Sequence, residues 1–221
     1  MFHYFNSALL IFALTSIPAA LLAEQKPAEL SLDGLDLVEA FDRGKFYSDP
    51  DVDWSAYTGI QLEAATVAFR RNWQRDQNKV DPFRVRDEDV ERIKQDMSTL
   101  VGEVFTEELT SNDGYAISPE AGDTVMRMEP HIVDLDVHAP YTRRTGFSRS
   151  YTERAGRMTL NLNIFDSVSG DLIAAVRVTR EAMSRPTAQL SNQVTNQAEA
   201  TRMLQKWARL LRETLDPARE R

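Results

Sequence analysis

The chain has 221 residues, 34 acidic against 26 basic side chains, a net charge of -8 and no cysteine. The missing cysteines exclude disulfide staples, thiolate metal sites, a cysteine nucleophile and the acylated cysteine of a bacterial lipoprotein. The acidic balance repels nucleic acid and anionic lipid wherever positive charge is not gathered locally, and nucleic acid is not expected as a partner.

The first 23 residues contain the apolar run "FNSALLIFALTSIPAALLA", and charge begins at Glu24. A short apolar run ending in small residues before a polar chain is the pattern of a secretory signal peptide. Cleavage is expected after Ala23, with Ala19 and Ala20 as alternatives. The stretch before the run lacks Lys and Arg, which leaves an uncleaved anchor as the other reading. The mature protein is then expected in the periplasm, without a membrane span.

Residues 24–55 read as a turn-rich leader that packs on the body, and residues 56–221 as a single domain of sufficient length for an ordinary hydrophobic core. "YTGIQLEAATVAF", Tyr57 to Phe69, predicts one strand from its β-branched and aromatic spacing, and "NWQRDQNKVDPF" a loop. Asp87 is placed to cap a helix. Its stripe runs through Val90, Ile93, Met97, Leu100, Val101, Val104, Phe105 and Leu109, and Gly114 stands beyond its end. In "TVMRMEPHIVDLDVHAP" the apolar parity changes between Met128 and Val133, which predicts a bulge beside Pro130. "GRMTLNLNIFDSVSGDLIAAVRVTRE" predicts a hairpin. Met158, Leu160, Leu162 and Ile164 face the core with Leu172, Ala174, Val176 and Val178, while Thr159, Asn161 and Asn163 face water. A last helix is expected from Gln197 to Leu215, with Pro217 after it. Each helix has one apolar stripe and so covers one sheet face. The expected fold is α+β: a two-layer sandwich, a mostly antiparallel sheet with two helices on one face.

Four phrases in order, "SDPDVDWSAYTGIQLEAATVAFRRNW", "DEDVERIKQDMSTLVGEVFTEEL", "HIVDLDVHAP" and "AGRMTLNLNIFDSVSGDLIA", resemble the bacterial domain-of-unknown-function 3313 family over most of the mature chain. The resemblance implies an envelope protein without an assigned activity, often a lipoprotein. The chain departs from that pattern in having no cysteine to carry the lipid. The family supplies no catalytic residues.

Chemistry-bearing patterns are sparse. Asp134, Asp136 and His138 alternate along one strand and could reach a common ion, but a solvated strand face explains them as well. "GFSRS", Gly146 to Ser150, lacks the second glycine of a nucleophile elbow. Asp166 and Asp171 in "DSVSGD" suit a hairpin turn as readily as calcium. The segment Tyr141 to Arg157 is different. It gathers Arg143, Arg144, Arg149, Arg154 and Arg157 against Glu153, with Tyr141, Phe147 and Tyr151 interspersed. Arginine and aromatic side chains suit an interface or an anion contact. Arg143, Arg144, Phe147, Arg149, Tyr151 and Arg154 are therefore the candidate contacts with an acidic protein or an anionic envelope component. The reading is a non-catalytic periplasmic protein that binds a partner and needs no cofactor. The alternatives are a small periplasmic metal-dependent enzyme or hydrolase centred on Asp134, Asp136 and His138, and a carrier with an apolar pocket between sheet and helices.

Overall fold

The computed structural model describes residues 32, 34–41, 43–80, 84–137, 150–152, 156–181, 189–191 and 193–219. Ten strands and three α-helices follow one another among them. They are β1 (Asp36–Phe41), β2 (Gly44–Ser48), β3 (Gly59–Leu62), β4 (Thr66–Phe69), α1 (Trp73–Val80), α2 (Asp87–Thr110), β5 (Ala116–Ile117), β6 (Val125–Asp136), β7 (Ser150–Thr152), β8 (Arg157–Asp166), β9 (Leu172–Glu181), β10 (Gln189–Ser191) and α3 (Gln193–Arg219). The main sheet has the order β1-β2-β9-β8-β6-β3-β5, with β4 also on β6, while β7 and β10 form a separate pair. Pairing is antiparallel from β1 to β6, and parallel where β3 and β4 join β6 and where β5 joins β3. The α+β class, with an open and mostly antiparallel sheet, is as expected.

The two long helices lie together on one face. Met97, Val101, Val104, Phe105 and Leu109 of α2 and Leu204, Trp207, Ala208, Leu211 and Leu215 of α3 share one core. It also holds Met126, Met128, Ile132, Leu160, Leu162, Ile164 and Val176 of the sheet. The period-2 alternation of β8 and the 3.6 period of the helices thus meet at a single interface. No described helix is long and apolar enough to cross a membrane.

Several local expectations are corrected. Residues 36–48 are not merely a leader laid on the body, because β2 pairs residue for residue with β9. The strand expected over Tyr57–Phe69 breaks at Glu63–Ala65 into β3 and β4, both on β6. That break faces Pro130. The carbonyl of Met128 accepts from the Glu63 N–H at 2.9 Å, so residues of the same parity on β6 aim their backbone at this edge, where a proline with no N–H forfeits no ladder bond. The register with β8 accordingly runs undisturbed through Pro130, and the bulge falls at Asp134, with φ of 52°. It carries Leu135 onto the core face beside Ile132.

The expected loop at residues 72–83 contains α1, whose first residue is buried. Trp73 is buried, stacks on Phe69 at 3.9 Å between ring centroids and donates its indole N–H to the Val137 carbonyl at 2.7 Å. Asp87 is not the cap of α2. Arg86 occupies that position, and Asp89 reaches back to accept from its N–H at 3.1 Å. α3 runs through Pro217 to Arg219; the proline forfeits its own bond to the Glu213 carbonyl, and only two helical residues follow it.

Candidate functional site

The face of the sheet turned away from α2 and α3 carries the chemistry. Register places Thr66, His131, Asn161, Arg177 and Lys45 in one row across β4, β6, β8, β9 and β2. Beside it lies the row Glu129, Asn163, Ala175 and Tyr47, and on its other side Val133, Thr159 and Thr179. These residues share a face because the side-chain period of a strand is two, and β8 places Thr159, Asn161 and Asn163 opposite to Leu160 and Leu162.

The expectation that this face is solvated is wrong. Thr159 is 1%, Asn161 6%, Asn163 7% and His131 7% exposed. Some of their hydrogen bonds are made. The Thr159 and Thr179 hydroxyls meet at 2.9 Å, and Thr66 Oγ1 lies 2.7 Å from His131 Nδ1. Arg127 pairs with Glu129, and its guanidinium sits 4.4 Å above the Phe165 ring centroid. Three groups find no partner within the protein: His131 Nε2, Asn161 Oδ1 and Asn163 Oδ1 are buried and meet no protein donor or acceptor. Left without any partner, each such group would cost about 1–3 kcal/mol of folding free energy. A cluster of them at the centre of a sheet runs against stability, and departures of that kind concentrate at functional sites.

Burial of this row can be tested at two of its members. Asn161→Asp places a carboxylate in a buried position and is expected to cost about 2 kcal/mol in urea unfolding, not the negligible amount of a wet surface. A cost below about 0.5 kcal/mol would return Asn161 to the surface. Burial also holds the His131 imidazole below its ordinary range. The fold thus favours the neutral ring, whereas the unfolded chain takes up a proton near pH 6.5. The stability this supplies is present above about pH 6.5 and is lost as pH falls below it. The difference in unfolding free energy between wild type and His131→Gln should narrow between pH 7.5 and 5.5, and a constant difference would contradict it.

The other candidates resolve differently. Asp134 is exposed at the bulge, and Asp136 is engaged by Arg70 Nε at 2.8 Å, with Asp76 bound to the same guanidinium at 2.9 Å. The bulge breaks the alternation on which a shared ligand face depended. His138 lies outside the described residues, among which no cluster of His, Asp or Glu could hold a metal ion. Asp166 is consumed by its turn. Its Oδ1 accepts from the Val168 and Ser169 N–H groups at 3.0 and 2.7 Å, and its Oδ2 from the Tyr57 hydroxyl at 2.9 Å. The Ser169 backbone bond leads in holding Asp166 below the usual carboxylate range, while burial and then Asp166 push Tyr57 up to about 12. Arg143, Arg144, Phe147, Arg149 and Arg154 lie outside the described residues, as does all of "GFSRS" but Ser150. Tyr151 is placed by its backbone, paired with Leu190 between β7 and β10. The crevice between sheet and α3, lined by Phe46, Phe105, Leu162, Val176, Trp207 and Leu211, holds little more than a water and so gives the carrier reading no pocket there. Sequence reasoning gave His131 no binding role, because its place opposite Asn161 is set by the pairing of β6 with β8 and leaves no trace in either strand alone.

Among solved structures the chain is similar to a PelC dodecamer from Paraburkholderia phytofirmans, at 8% identity over 76% of this chain and 97% of that one, TM-score 0.37. It is similar also to a provisionally named lipoprotein from Caulobacter crescentus CB15, at 13% identity over 76% and 93%, TM-score 0.34. A PDZ domain protein from Parabacteroides distasonis matches at 11% identity over 81% of this chain and 36% of that one, TM-score 0.37. None of these likenesses carries a conclusion about this chain's activity. Among curated proteins none matches it significantly. The family model of DUF3313, described as a protein of unknown function, matches residues 30–211, and the chain belongs to that family.

Proposed function

We propose that this is a non-catalytic protein of the bacterial envelope, exported to the periplasm, that works by binding a partner through the helix-free face of its sheet. One observation carries the reading: His131 Nε2, Asn161 Oδ1 and Asn163 Oδ1 are buried on that face with their hydrogen bonds unmade. Groups that burden the fold and take no part in its core are explained when something else completes them. The apolar leader and the absence of cysteine support export without a lipid anchor.

The arginine-rich segment supplies a second contact, to an acidic protein or an anionic envelope component. Reversal of Arg143, Arg144 and Arg149 to Glu is expected to leave the melting temperature nearly unchanged, because charge changes within a polar segment contribute little to folding. The same change should weaken capture of the partner from envelope extract. Added salt should weaken the wild-type interaction, since exposed charges are screened within about 10 Å at 0.1 M. Capture that survives both the charge reversal and substitution of Asn161 and Asn163 overturns the reading.

A further inference from the structure

We draw no further inference here: the strongest candidate, the outer edge of the main sheet at β1, where Leu37 and Val38 stand exposed between Asp36 and Glu39, carries nothing, because nothing in the structure shows what covers it and the register shift between Leu37 and Glu39 is of the kind that keeps an edge strand unpaired.

Discussion

Leu160→Asp is expected to cost about 3 kcal/mol or more of folding free energy, a large part of the whole margin of a weakly stable domain. Leu160 is buried at the centre of the core, with Ile132 and Val178 beside it in its row and Trp207 and Phe105 across the interface. The substitution loses the transfer free energy of a buried leucine, about 2 kcal/mol, and introduces a carboxylate on a core face that is apolar among the described residues. Val168→Asp, at an exposed position in the turn of the same hairpin, serves as the control and should stay within about 0.5 kcal/mol. Urea melts of the two variants decide the matter. Similar midpoints would mean that the two faces of β8 have been assigned the wrong way round.

Gly114→Ala should be comparably damaging, although it adds a single methyl group. After α2 ends at Thr110, the chain reverses through Asn112 and Asp113, with φ of 47° and 57°, and two backbone bonds lock the reversal. The Gly114 N–H donates to the Ser111 carbonyl at 3.0 Å and the Tyr115 N–H to the Leu109 carbonyl at 2.9 Å. A Cβ on Gly114 would lie 2.2 Å from the Leu109 carbonyl oxygen and 2.9 Å from that of Ser111. Both obstacles are backbone, and the flanking side chains Leu109 and Tyr115 are buried, so neither end of the turn can shift without opening the core. A loss of about 3 kcal/mol is expected, beyond the ordinary range for a surface position. Gly102→Ala gives the contrast. It sits within α2 with nothing near its would-be Cβ, and alanine there should stabilise by about 0.5–1 kcal/mol. If Gly114→Ala were as benign as Gly102→Ala, the turn would be looser than its hydrogen bonds indicate.

The candidate site shows where local reading stops. The alternation of Thr159, Asn161 and Asn163 with Met158, Leu160 and Leu162 was legible, and it assigned the two faces of β8 correctly. Polar side chains on the second face implied water, because alternation reports which side a residue takes but not what surrounds that side. His131 belongs to a strand whose parity was misjudged around Pro130. Its partnership with Thr66 and its place opposite Asn161 depend on residues far apart in the chain.

The sequence by itself determined the elements whose signals are short-ranged. The stripe of α2, the core face of α3 and the β8–β9 hairpin each follow from periodicity within one segment, and one stripe per helix implied a sheet with a single helical layer. Only the tertiary structure decided the long-range pairings. β2 joined β9, the expected single strand split into β3 and β4 where Pro130 needs no partner, and the bulge came at Asp134. It also decided that Asn161, Asn163 and His131 are buried with bonds unmade. Pairing and burial are set by which distant segments meet, and that depends on the summed free energy of the whole assembly, not on the period of any one stretch.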